Sequence, residues 1–420
     1  MVKKIVLDNG VRILTEEIRH VRSAAFGVWV DVGSRDEEDG AGGVCHFIEH
    51  MLFKGTQTRS ARDIAEAFDR VGGQLNAYTT KEYTCYYARV LDEHLDLAID
   101  IISDMLFRSR FAPEDLERER NVIVEEIKMY EDTPDELVHD VLAQVLWREH
   151  ALGRPVIGDA AVIRALSRDD LLEYHQRHYG QGRMVIAVAG NVEHDRVVER
   201  LEGIFGDTRV LGPSKPLIAP TPYPGVFCRE KDTEQVHLCI GTQGLHLDDE
   251  NIYVAQVINT LLGGGLSSRL FQRVREQMGL VYNIYSYHSS YRDTGLFGIY
   301  AGLSPENVGT VLEIVLDELN DVRNGGVTEA ELALSKEQLK GNFLLSLESV
   351  SARMSRLGRS ELYLGRVHTP DEIVRKLARV ESDQAAAICD RILSAGKLSL
   401  ATIGPWRNEG VWEEALGGGL

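Results

Sequence analysis

Cys45-His46-Phe47-Ile48-Glu49-His50 is the run from which the rest of this chain is best read. On a helix, His46 and His50 stand four residues apart, so their imidazoles leave one face a turn from each other. Two ring nitrogens so placed can reach one zinc ion, and Glu49, three residues on from His46, overhangs the same point. The spacing H-x-x-E-H inverts the commoner H-E-x-x-H of zinc proteases, so the residues point to metal-assisted hydrolysis. Taken alone, the run is as compatible with a solvated helix as with a metal site. A chain with 13 His and 65 Asp plus Glu will sometimes place them this way. The surroundings favour the metal. Gly40-Ala41-Gly42-Gly43 can end a loop and open a helix, and Phe47, Ile48, Met51, Leu52 and Phe53 give that helix buried faces. Polar side chains on a helix buried on most sides need partners, and a metal would supply one.

Catalytic zinc usually takes three protein ligands and leaves its fourth position to water. The best source of the third is the stretch from Leu116 to Tyr130, which reads as a long helix opened by Pro113, with Glu114 and Asp115 in its first turn. Glu119 and Glu126 are seven apart and share one stripe of that helix, whereas Glu125 is turned about 100° away. The plainer reading is a charged surface helix laced with i,i+4 pairs. Spacing alone leaves both readings open.

In these residues the chain resembles the pitrilysin-like metallopeptidases, within the branch of the mitochondrial processing peptidase and its bacterial relatives. Members carry H-x-x-E-H and, further along, a ligand Glu with another Glu seven positions before it. Here Glu126 lies 76 positions after His50, and Glu119 stands seven before Glu126. Asn76-Ala77-Tyr78-Thr79 after Gly72-Gly73, and Arg275 followed seven later by Tyr282, are similar to family features too. The resemblance covers essentially the whole chain. It implies that His46, His50 and Glu126 bind one Zn2+ per chain and that Glu49 is the general base. It also implies that Glu119 completes the catalytic set by supporting the site from behind the ligands. Asn76 and Ala77 would lie on an edge strand that pairs with extended substrate. Arg275 and Tyr282 would reach from the second half to contact bound peptide.

The activity implied is a zinc-dependent endopeptidase that cleaves extended peptides or presequence-like segments inside a chamber. The working form implied is a homodimer, or a heterodimer with a related chain. Two alternatives stand beside it. Some relatives have lost zinc and serve as silent scaffold subunits, but the joint presence of His46, Glu49, His50 and Glu126 argues against that here. A zinc hydrolase of small amides would have no use for an Asn76-Ala77 edge or for the Arg275 and Tyr282 pair.

The chain reads as two similar halves. Five of eleven prolines fall at Pro213, Pro216, Pro220, Pro222 and Pro224, marking an extended linker over 209–225 between a zinc-binding half, 1–208, and a second half, 226–420. The strand Phe26–Gly33 followed by Asp36-Glu37-Glu38 is echoed by Val236–Gly241 followed by Asp248-Asp249-Glu250, and Met184–Gly190 by Leu398–Gly404. Leu152-Gly153-Arg154 recurs as Leu364-Gly365-Arg366, 212 positions on. The same shift sets Ile258, Leu261 and Leu262 opposite His46, Glu49 and His50, so the second half lacks the ligands and is expected to close over the first. Ser60 with Asp63 caps a helix through Val71, strand residues run from Gln74 to Val90, and a helix follows near Asp92 to Phe107. The fold class expected is α+β: two tandem homologous sandwiches, each a mainly antiparallel sheet flanked by helices. Gly263-Gly264-Gly265-Leu266-Ser267-Ser268 lacks the G-K-[ST] ending of a phosphate loop and reads as a connection between helices.

At 420 residues the chain is too long for one ordinary core. Its 44% hydrophobic and 26% charged residues are those of a globular protein, and no stretch approaches the ~18 apolar residues of a membrane span. Met1-Val2-Lys3-Lys4 is basic, but Ile5 to Gly10 offers no apolar core of a secretory signal. A net charge of −19 argues against nucleic acid and is compatible with basic peptides. Five cysteines without a CxxC pair point to a reducing, cytoplasmic setting. Cys45 reads as a small buried residue, not a nucleophile.

Overall fold

The computed structural model describes residues 2–206, 217–393, 397–406, 410 and 412. The early part of the proline-rich linker, with Pro213 and Pro216, lies outside the described residues. The chain forms two compact units, and they interleave in sequence. One comprises Met1–Lys128, Arg154–Pro216 and Leu345–Val367; the other comprises Met129–Gly153, Leu217–Leu344 and His368–Leu420.

The first unit is built on strands β1 (Val2–Val6), β2 (Arg12–Glu17), β3 (Ser23–Val30), β4 (Gln74–Thr79), β5 (Thr84–Leu91) and β6 (Met184–Gly190). They lie in the order β1-β2-β6-β3-β5-β4. All neighbours are antiparallel except β2 with β6. The central strands are buried on both faces, as the side-chain period of two shows. Along β3, Ala24, Phe26, Val28 and Val30 join one core, while Ala25 and Trp29 join another; β6 alternates likewise from Met184 to Ala189. The larger core is completed by the helices Val44–Leu52 and Leu95–Arg108. The smaller is covered by the helix Val350–Leu364, whose Val350, Met354, Leu357 and Leu362 meet Trp29, Val185 and Ala187.

Two ion pairs fasten that helix. Lys4 Nζ lies 2.7 Å from the buried Glu361 carboxylate, and Arg353 lies 2.7 Å from Glu16. A glycine is required at 358, because a Cβ there would sit 2.4 Å from the Trp29 ring.

Local signals match local structure. Ser60 caps Ala61–Asp69 in a capping box with Asp63, and Pro113–Glu131 is one helix. The stretch from Gln74 folds back on itself as the β4–β5 hairpin. The 3-10 turn Asp92–His94 leads into Leu95–Arg108.

The second unit carries β7 (Val226–Glu230), β8 (Val236–Gly244), β9 (Val281–Ser290), β10 (Gly295–Leu303) and β11 (Ser399–Gly404) in the order β7-β11-β8-β10-β9. Without β1, the first sheet reads β2-β6-β3-β5-β4, the same order, and β7 with β11 repeats its parallel pair. The duplication is therefore a matter of topology as well as of sequence echoes. The helix Ile252–Gly263 follows β8 as Val44–Leu52 follows β3. Its Ile258, Leu261 and Leu262 are buried in the second core. Gly263 ends the helix where a Cβ would lie 2.2 Å from the Ser286 backbone nitrogen, so the glycine-rich run begins as a close packing contact. The other face of this sheet is covered by the helix Pro134–Leu146, through Val138, Leu142 and Leu146. Among the described residues, no helix is long and apolar enough to cross a membrane.

Candidate active site

The helix Val44–Leu52 opens on Gly43, in the left-handed region at φ 94. Its first turn is held by Glu37, whose carboxylate accepts from the Gly43 and Cys45 backbone N–H groups, each at 2.9 Å. Burial pushes the Glu37 pKa up to about 7, against the lowering by those two bonds. Val44, Phe47, Ile48, Met51 and Leu52 are buried. Cys45 is buried as well and donates to the Tyr174 hydroxyl at 3.3 Å, turned into the core.

His46 and His50 face one another with ring centroids 4.7 Å apart at 74°. Glu126, from Pro113–Glu131, brings its Oε2 to 3.9 Å from His46 Nε2 and 3.5 Å from His50 Nε2. One donor atom from each of the three lies within 4.8 Å of the others, and this is the one such cluster among the described residues. Around zinc with bonds of about 2.1 Å, tetrahedral ligands stand about 3.4 Å apart, so small side-chain adjustments close the set.

The chemistry of the donors fits as well. Burial, with the His50 ring second, pushes the His46 pKa down to about 3, which keeps that imidazole neutral and able to donate a lone pair. His46 Nδ1 is buried and has no hydrogen-bond partner among the described residues. Glu125 points elsewhere, exposed and paired with Lys128 at 2.6 Å.

Two carboxylates flank the cluster without joining it. Glu49 accepts a hydrogen bond from Thr79 Oγ1 at 2.6 Å. Burial raises its pKa, with the Thr79 bond opposing. Glu119 is buried behind His50, its Oε2 3.1 Å from Nδ1, and its Oε1 is 2.8 Å from Lys54 Nζ. A carboxylate only accepts, so this contact assigns the His50 proton to Nδ1 and leaves Nε2 facing Glu126.

Asn76 and Ala77 lie on β4, the last strand of the first sheet, paired with β5 on one side and with no strand on the other among the described residues. Asn76 is exposed, and its Oδ1 accepts from the Ala77 N–H at 2.8 Å. Arg275 and Tyr282 belong to the second unit and come together there. The Arg275 guanidinium lies 4.8 Å from the Phe271 ring centroid and 6.0 Å from that of Tyr282. Tyr282, on the edge strand β9, is 74% exposed. Three contributors were missed by sequence reasoning. Thr79 ends the Asn76-Ala77-Tyr78-Thr79 run and Glu37 sits in an acidic triplet, whereas nothing in the pattern marks Lys54.

Duplicated α+β units, one of them bearing an inverted His-x-x-Glu-His centre with a distant carboxylate, define the class of inverted-motif zinc peptidases. Residues 12–160 match the family model described as Insulinase (Peptidase family M16), and residues 165–339 that described as Peptidase M16 inactive domain. YmxG of Bacillus subtilis (strain 168), named an uncharacterized zinc protease, is 46% identical over 97% of this chain and 99% of its own length. The similarly named SCO5738 of Streptomyces coelicolor is 44% identical over 97% of this chain and 90% of its own. The chain belongs to peptidase family M16.

The fold is shared with solved structures. A protease from Helicobacter pylori superposes with a TM-score of 0.90 at 19% identity, covering 96% of this chain and 99% of that one. A protein described as a peptidase M16 inactive domain, from Pseudomonas fluorescens, gives 0.90 at 23%, covering 96% and 98%.

Proposed function

We propose that this chain is a zinc-dependent endopeptidase acting on extended peptides, of the processing-peptidase kind. The observation that carries the reading is the convergence of His46, His50 and Glu126 on one point, with Glu49 beside it and hydrogen-bonded to the free edge strand. Bound zinc would lower the pKa of a water and polarise the scissile carbonyl. Glu49 takes the water proton and returns it to the leaving amine, a role suited to a carboxyl whose pKa is raised by burial. Glu119 fixes His50. The open side of β4 takes up substrate as an added strand along Asn76 and Ala77, which aligns a peptide bond beside Glu49. Arg275 and Tyr282 are assigned to peptide contact, on the strength of the family resemblance and their exposed pairing.

The same reading places the enzyme in the cytoplasm, supported by five cysteines of which none forms a disulfide among the described residues. It makes the working form a dimer, of identical or related chains, enclosing a chamber that admits peptides. Metal analysis paired with mass-mapped cleavage of a peptide mixture, with and without chelator, tests the activity. Glu49→Gln should keep its zinc and lose roughly 10²–10⁴-fold in turnover. Near-normal cleavage by that variant would remove Glu49 from its role.

A further inference from the structure

We propose that Lys54 is a positioning residue of the metal centre, acting through Glu119 to fix the orientation in which His50 meets the ion. This rests on the site proposed above and adds a member to it. Lys54 follows the motif helix directly. Phe53 N–H donates to His50 O at 3.2 Å, and Lys54 N–H to Met51 O at 3.1 Å, so the backbone at 54 is locked one turn beyond His50. His50 and Lys54 are thus four residues apart and present their donors to one carboxylate. Glu119 gives one oxygen to each, 3.1 Å to His50 Nδ1 and 2.8 Å to Lys54 Nζ. With both oxygens engaged by neighbouring turns of one rigid segment, the carboxylate cannot rotate, and neither can the imidazole that it holds.

Shelter makes the pair matter. An ion pair open to solvent contributes little, but the Glu119 side chain is 7% exposed and that of Lys54 34%. Without Lys54, Glu119 keeps an unpaired buried oxygen and is free to rotate away from His50, which loses its fixed orientation. Supporting groups of this kind typically govern 10–100-fold in metal affinity.

The test is zinc affinity of the metal-free full chain, measured by competition with a chromophoric chelator, with thermal stability recorded alongside. Wild type should bind one zinc, and Lys54→Met should bind it about 10–100-fold more weakly. Lys54→Arg, which keeps charge and donors, should recover most of the loss. Lys54→Met combined with Glu119→Gln should be no weaker than Glu119→Gln alone. A charge effect without positioning predicts the opposite sign, since removing a cation would tighten zinc. Unchanged or tighter binding by Lys54→Met, or losses that add in the double variant, overturns the proposal. If Lys54→Met does not fold, Lys54→Gln is measured in its place: zinc bound more weakly than by Lys54→Arg supports the arrangement, and equal affinity in the two overturns it. A wild-type chain that takes up no zinc would instead sink the metal site itself.

Discussion

Thr79 directs its hydroxyl hydrogen at Glu49 over 2.6 Å, and it sits on β4, the strand whose outer edge is open. That bond ties the proposed base to the strand proposed to receive substrate, so a methyl in place of the hydroxyl should leave zinc bound while turnover falls roughly 10–100-fold. Thr79→Val and Thr79→Ser, compared by zinc content and peptide kinetics, check this; the serine variant should recover most activity. Glu37 makes a pH prediction. Its pKa rises on folding from 4.5 to about 7, chiefly through burial. Its contribution to stability is then complete below 4.5 and lost as the pH climbs through about 7, by an amount on the order of 3 kcal/mol. Glu37→Gln cannot ionise, so its denaturation midpoint should vary less between about pH 5 and pH 8 than that of wild type; equal slopes would assign the titration elsewhere. His46, Glu49 and His50 were legible because helix geometry turns spacing into proximity. Glu119 and Glu126 became legible only through family resemblance. Thr79 and Lys54 were not, since their partners depend on how a hairpin and a helix end pack in space.

The helix Val350–Leu364 shows what element patterns reveal and what they hide. Its apolar stripe is visible in sequence, but an amphipathic stripe does not say which sheet it covers. Likewise β3 shows alternation only once its two faces are assigned to two cores, because a strand buried on both sides reads as a plain apolar run. Gly358 tests the contact. Alanine would improve helix propensity by roughly 1 kcal/mol, but its Cβ would fall 2.4 Å from the ring of fully buried Trp29. Overpacking costs typically about 1–3 kcal/mol and should win. Gly358→Ala should unfold at lower denaturant than wild type, whereas a gain in stability would show that the ring can yield.

For the molecule as a whole, the exchange of segments is the fact with most reach. Residues 345–367 complete the first unit and 129–153 the second. A fragment of residues 1–208 would therefore carry the metal residues yet leave Trp29, Val185 and Ala187 without their covering helix. Expressed alone, it should be insoluble or bind zinc poorly, while co-expression with 209–420 should rescue a soluble pair; a well-folded lone fragment would contradict this. The repeated strand order was foreshadowed by echoes such as Phe26–Gly33 with Val236–Gly241. The exchange was not, because nothing in a helix's sequence records its partner. On the ribosome, β6 emerges about 170 residues before the last turn of that covering helix, an interval of roughly 10–35 s at 5–20 residues per second. Through that interval the nascent sheet shows an indole and a row of aliphatic groups to water. This protein should accordingly lean on chaperones during its birth far more than its finished form would suggest.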